Sequence, residues 1–159
     1  MENTIEKVIK INKVCKVTKG RRCYSFSTLV VKGNRNNILS YGLGKSKEIA
    51  DSIKKASVNC NNNFYKINII NNTIPYNIKG KFKKSIVKMY PARKYTGIIA
   101  NKYIKLLIEC SSIKDIYCKI IGSRNILNII KAAILALNKI NNLKDISNKR
   151  NISINNIFI

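Results

Sequence analysis

The chain contains no histidine and no tryptophan, only 2 prolines, and just 7 Asp plus Glu in 159 residues. The missing histidine removes the commonest general base and metal ligand and every His-containing triad. Seven scattered carboxylates leave little material for paired-acid catalysis. Glu109 and Asp115, the nearest pair of interest, are expected to flank a helix end without a further acidic partner. The 5 cysteines (Cys15, Cys23, Cys60, Cys110, Cys118) contain no C-x-x-C pair and are odd in number, which reads as reduced thiols rather than a disulfide framework or a zinc site. The longest apolar stretch, Ile126 to Leu137, is shorter than a bilayer span and is interrupted by Asn128 and Lys131. Met1 to Lys10 carries charges where a secretory leader would be apolar, so no export signal is expected and the sequons at Asn71 and Asn151 are read as chance.

What is present is positive charge. There are 31 Lys plus Arg, for a formal net charge of +24. A polyanion is therefore the expected partner. Ile, Asn and Lys make up about half of the chain, a skew spread over core and surface alike, so no single Lys is singled out on composition alone. Residues 1–72 carry 14 basic and 4 acidic groups and residues 73–159 carry 17 and 3, so both halves are basic. Disorder is excluded by the 45% hydrophobic content, which is periodic.

Alternation over Lys7–Thr18 predicts a strand with Ile9, Ile11, Cys15 and Val17 on one face and one wet face opposite. Lys19-Gly20-Arg21-Arg22 predicts a turn. Cys23–Lys32 predicts a second strand with Tyr24, Phe26, Thr28 and Val30 on one side, the aromatics read as core beneath a helix, with stacking on bases as the alternative. Gly33–Asn37 reads as a loop and Ile38–Leu43 as a third strand, broken by Gly42-Leu43-Gly44, with Ser46 as helix N-cap. A helix over Lys47–Asn62 follows, its buried stripe being Ile49, Ile53, Ala56, Cys60 and Phe64. Pro75 marks a domain boundary, giving domains over 5–72 and 73–141 and a tail over 142–159 that is weakly helical at best. The second half is read as a hairpin over Tyr76–Tyr90 bent at Gly80, a loop to Gly97, a helix over Gly97–Glu109, a strand over Ile113–Ile121 and a helix over Asn125–Ile140. The class is α+β in two small domains.

Three basic features are candidate phosphate contacts. The turn at Lys19, Gly20, Arg21 and Arg22 places three cations at a hairpin tip. Gly44-Lys45-Ser46 resembles part of a nucleotide loop, but Leu39 stands where the first glycine belongs, so the helix start with Lys45 and Lys47 is read as a site for an RNA phosphate instead. Lys79, Lys81 and Lys83, followed by Lys84, form a run whose mutual repulsion favours phosphate contact.

The order of elements and three motifs resemble the bacterial-type small-subunit ribosomal protein S-five family. Lys19-Gly20-Arg21-Arg22-Cys23-Tyr24-Ser25-Phe26 is similar to that family's K-G-G-R-x-F-S-F. Tyr41-Gly42-Leu43-Gly44-Lys45-Ser46-Lys47-Glu48-Ile49 is similar to F-G-x-G-K-A-x-E-V. Thr96-Gly97-Ile98-Ile99-Ala100, with Gly122-Ser123-Arg124-Asn125 and Asn128, is similar to G-T-G-I-I-A followed by G-S-x-N-P-x-N. The resemblance spans about residues 5–158. It implies a double-stranded-RNA-binding-like β-β-β-α domain followed by a split β-α-β domain. It also implies a non-enzymatic role in the cytoplasm as a constituent of the small subunit that binds 16S rRNA. The neighbours it implies are messenger RNA at its entry side and ribosomal proteins S-four and S-eight, with a bearing on assembly and decoding accuracy. No membrane, cofactor or small-molecule substrate is implied. Thr96, Gly97 and Lys105 fall in the region associated with the S-four contact, and Arg124 joins the RNA contacts. The turn from Lys19 corresponds to the loop near which spectinomycin acts. Four departures stand out: Arg21, Tyr95 and Asn101-Lys102 replace family glycines, and Ile126 replaces a proline. The alternative is a free-standing double-stranded-RNA-binding regulator.

Overall fold

The computed structural model describes residues 4–34, 37–62, 64–69, 72–141 and 143–151. Arg35, Asn36, Asn71 and the tail beyond Asn151 lie outside the described residues. The first unit begins with β1 (Thr4–Thr18), β2 (Arg21–Asn34) and β3 (Ile38–Ser46), continues into α1 (Ile49–Cys60) and closes with β4 (Phe64–Lys66). Its strands form one antiparallel sheet in the order β1-β2-β3-β4. The second unit runs β5 (Ile78–Phe82), β6 (Ser85–Pro91), β7 (Ile98–Ile99), α2 (Lys102–Glu109), β8 (Ile116–Gly122) and α3 (Ile126–Asn138). Its sheet has the order β5-β6-β8-β7, with β7 parallel to β8. A further helix, α4 (Leu143–Arg150), occupies the start of the stretch expected to be weakly helical.

The expected break in β3 does not occur. The strand passes through Gly42 and Gly44 because those glycines face α1 at van der Waals range. A Cβ on Gly42 would lie 2.1 Å from the Ala56 carbonyl oxygen, and one on Gly44 2.0 Å from that of Ser52. The glycines admit the helix backbone rather than ending the strand. Ser46 is accordingly a strand residue, and the N-cap is Glu48, without a side-chain cap bond. The buried stripe of α1 is Ser52, Ala56 and Cys60. Ile49 stays exposed, and Phe64, expected in the same stripe, is an exposed residue of β4. Against the glycines only small side chains fit, so the helix is held by Thr28 Oγ1 donating to the Ser52 carbonyl at 2.8 Å and by Val30 against Ala56 and Cys60.

The opposite face of the first sheet is also buried. Leu29, Val31 and Leu39 join Ile104, Leu107, Ile108 and the apolar residues of α3 in one core cluster shared by both units. Polar links cross the same boundary. Lys7 pairs with Glu109, and Asn68 Nδ2 donates to the Ile140 carbonyl at 2.6 Å.

Other expectations are corrected in the same way. A β-bulge shifts the β1 register between Val8 and Lys10. Ile9 enters the shared core while Ile11 is exposed, so the two do not share a face. Both faces of β1 beyond the bulge are wet. The second-unit hairpin turns at Lys83-Lys84, not at Gly80, which sits inside β5 against the Ala132 carbonyl of α3. Lys83, with φ 51°, therefore leaves the face shared by Lys79 and Lys81. Residues 98–99 pair as β7 where helix was expected, and α2 starts at Lys102, with the Asn101 side chain accepting from the Tyr103 amide at 3.1 Å. Among the described residues, no helix is long and apolar enough to cross a membrane.

Candidate nucleic-acid interface

Residues 10 to 22 are all exposed. β3 pairs with β2 only as far as Phe26, so Val14–Thr18 and Arg21–Ser25 continue past the body of the sheet as a two-stranded arm. Five residues of β1 at about 3.3 Å each give it a reach of ~17 Å. Antiparallel alternation divides its side chains between two faces. Lys16 and Arg21 fall on one, through the pairs Lys16 with Cys23 and Thr18 with Arg21, and Lys10 lies on the same face in the sheet body, opposite Leu29. Arg22 falls on the other, through the pair Val17 with Arg22, and Lys13 lies on that same face at the base of the arm, opposite Phe26. The tip is closed by Gly20 in the left-handed region (φ 94°) and by Thr18 Oγ1 donating to the Arg21 carbonyl at 3.1 Å. Arg21 is ordinary strand, so its side chain in place of the family's second glycine imposes no backbone strain.

Tyr24, read from the sequence as core, is half exposed on this arm. Lys13 Nζ lies 4.4 Å from its ring centroid. Four residues further along β2, Thr28 is buried against α1 and bonded to the Ser52 carbonyl.

The remaining predicted contacts do not form a single patch. Lys45 and Lys47 are exposed at the end of β3 and before α1. The helix start that they flank already holds Glu48 at its cap and Asp51 in its first turn, which oppose a bound anion there. Lys79 and Lys81 lie on the outer face of β5, and Lys83 is in the following turn. Arg124 lines a cleft of about 740 Å³ between the units with Lys10, Asn101, Tyr103 and Ile126. Lys10 was not singled out from sequence, because only the bulge aims it at Arg124's side of the sheet.

Of the residues associated with a protein contact, Thr96 is exposed and Lys105 projects from α2. Gly97 is a structural pivot. It has φ 75°, its amide donates to Asp115 Oδ1 at 2.8 Å and its carbonyl accepts from the Ile116 amide at 3.2 Å. Asp115 is thereby consumed by a turn and Glu109 by Lys7, which accounts for the two carboxylates nearest to each other in this half. Burial pushes the thiols of Cys60 and Cys110 up to about 11 and that of Cys118 to about 12, so they are inert packing groups at neutral pH.

Comparison with known proteins accords with this architecture. Residues 4–68 match the family model described as ribosomal protein S5, N-terminal domain, and residues 80–150 match ribosomal protein S5, C-terminal domain. The chain is 43% identical over 155 residues to the small ribosomal subunit protein uS5 of Karelsulcia muelleri, covering 97% of this chain and 91% of that protein. It is 34% identical to the protein of the same name from Chloroflexus aurantiacus, over 93% of this chain and 83% of that one. It is 37% identical to that of Lawsonia intracellularis, over 92% and 90%. Two domain matches in order, on the two sheets described above, show that the chain belongs to the ribosomal protein S5 family, whose members are structural, non-enzymatic proteins of the small ribosomal subunit.

Proposed function

We propose that this chain binds 16S rRNA within the small subunit and fixes RNA segments relative to one another. The observation that carries this reading is the exposed arm with cations on both faces. A cationic surface that lies on one duplex needs charge on one side; an arm charged on both sides suits insertion between RNA segments. The contacts are Lys19, Gly20, Arg21 and Arg22 at its tip, with Lys45 and Lys47, Lys79, Lys81 and Lys83, and Arg124 on the body. The domains are 5–72 and 73–141, with the chain beyond 141 as a tail. Thr96, Gly97 and Lys105 face a neighbouring protein, S-four, and S-eight is the second neighbour. The site lies near the messenger entry side, bears on decoding accuracy, and is cytoplasmic.

The test is sedimentation of cell lysate at moderate and high salt. Migration with the small subunit after the salt wash supports the reading, and a position at the top of the gradient rejects it. If ~8 phosphates are contacted, log K against log salt should fall with a slope of about −6 to −7. Competition between plain duplex and 16S rRNA separates this role from that of a free double-stranded-RNA-binding regulator, which would not discriminate between them.

A further inference from the structure

Among the described residues, helices cover only one face of the second sheet. Ile78 and Gly80 on β5, Ser85, Val87 and Met89 on β6, and Ile116 and Cys118 on β8 are buried beneath them. The intervening residues form the other face, and the strand registers set them in rows. Lys79 lies opposite Lys88, which lies opposite Lys119. In the next row Tyr90 lies opposite Tyr117, which lies opposite Ile99. On the far side of the lysines, Lys81 lies opposite Ile86, which lies opposite Ile121.

Adjacent strands are about 4.8 Å apart. Three ammonium groups at directly paired positions on three adjacent strands repel one another and destabilise the sheet. No Asp or Glu occurs in any of the four strands to offset them. Lys88, on a central strand, is half-buried. Among the described residues, the one ion pair is Lys7 with Glu109, on another part of the molecule. Beside this row the Tyr90 and Tyr117 rings sit with centroids 5.9 Å apart, and Tyr117 is 42% exposed.

We infer that the open face of the second sheet is a docking platform for single-stranded RNA. Lys79, Lys88 and Lys119 take the backbone phosphates and Tyr117, braced by Tyr90, stacks on a base. A row of cations beside flat rings supplies the two components of single-strand recognition. A duplex keeps its bases stacked inside and offers none to Tyr117. A protein partner is the poorer fit, because lysine is depleted at the core of protein interfaces. The inference rests on the RNA-binding reading above and extends it to residues outside the arm.

The test uses the full-length chain and a labelled 12-nucleotide single-stranded RNA of mixed sequence, followed by anisotropy across a salt series. Combining Lys79→Gln, Lys88→Gln and Lys119→Gln is expected to make the slope of log K against log salt shallower by about 2, at ~0.7 per phosphate lost. Tyr117→Ala is expected to weaken binding at least about fivefold, and Tyr117→Phe to leave it unchanged, since the stack needs only the ring. Equal melting temperatures for these variants and the parent exclude unfolding as the cause. A second measurement is ultraviolet cross-linking of small subunits carrying the chain, read by mass spectrometry. A nucleotide adduct on the peptide bearing Tyr117 supports the platform. An unchanged slope in the lysine variant overturns it. So do amine cross-links from Lys88 to another ribosomal protein without a nucleotide adduct, which would make the face a protein contact. A chain that sediments with the small subunit while the platform variants bind RNA normally refutes this inference and leaves the ribosomal reading intact.

Discussion

Replacing Gly42 with alanine tests whether the glycines of β3 serve helix packing or phosphate binding. The new Cβ would lie 2.1 Å from the Ala56 carbonyl oxygen, 2.7 Å from the Cys60 amide nitrogen and 2.9 Å from the Cys60 sulfur. Two of these atoms are helix backbone, so no rotamer change relieves the clash. To restore even a 3.0 Å contact α1 must withdraw by about 1 Å. That withdrawal stretches the 2.8 Å bond from Thr28 to the Ser52 carbonyl beyond hydrogen-bond length and strands a buried hydroxyl. The lost bond costs about 1–3 kcal/mol with its group left unpaired. Loosened packing of Val30 against Ala56 and Cys60 adds roughly 1 kcal/mol. Alanine's advantage over glycine in a strand returns about 0.5–1 kcal/mol. The expected net loss is about 1–3.5 kcal/mol, read as a lower urea midpoint at constant slope. Gly20→Ala is the comparison, since a Cβ there meets nothing within 4 Å and only its φ of 94° is strained. A Gly42→Ala protein that loses less than about 0.5 kcal/mol, or that loses RNA affinity at unchanged stability, would refute the packing argument.

Three further outcomes are expected. Neutralising Lys19, Arg21 and Arg22 to glutamine should make the salt slope for duplex RNA shallower by about 2–3 while leaving the melting temperature unchanged, because all three are exposed. Tyr95→Gly should stabilise the chain by about 0.5 kcal/mol in urea titrations. Tyr95 holds a φ of 70° with 99% of its surface exposed, so relief of about 1–2 kcal/mol of backbone strain exceeds the added unfolded-state entropy. Maleimide at pH 7.5 should label Cys15 in the native chain and reach Cys60, Cys110 and Cys118 only on unfolding, as mass spectrometry would report. The last three thiols are raised from 9.0, so their neutral forms favour the folded state. The stability they contribute is intact below about pH 8 and is lost as pH rises from 9 toward 11–12, a decline that Cys118→Ala should flatten.

The alternation of β1 and β2 and the three- and four-residue spacing of Ile53, Ala56 and Cys60 in α1 were readable because each is a local signal. The first three strands and the following helix appear in the predicted order. What the sequence hid depends on contacts distant along the chain. β4 and β7 are 3 and 2 residues long and exist only by pairing with β3 and β8. Gly42 and Gly44 look like strand breakers until the helix that needs them is in place. The period of β1 slips at its bulge, so parity counted from Ile9 assigns the wrong faces beyond it. Tyr24 and Phe26 alternate with the same parity as Val30, yet where α1 stops covering β2 cannot be counted from the strand itself. For the interface, the basic tip and the lysines of β5 were legible as runs. Lys88 and Lys119 are isolated in sequence and become neighbours of Lys79 only through the sheet register.

The burial of the first sheet on both faces bears on how the chain is made. Leu29, Val31 and Leu39 leave the translating ribosome early, but Ile104 and the residues of α3 that cover them are encoded about 65 to 100 positions later. At about 5–20 residues per second the apolar face waits several seconds, and up to ~20 s, for its cover. A newborn chain thus passes through an interval in which α1 can already dock on one side of the sheet while the other side is greasy and highly cationic at once. Such an intermediate is a natural client for a holdase or for nascent RNA, and slowing translation over the second unit should raise the share of chains lost to aggregation.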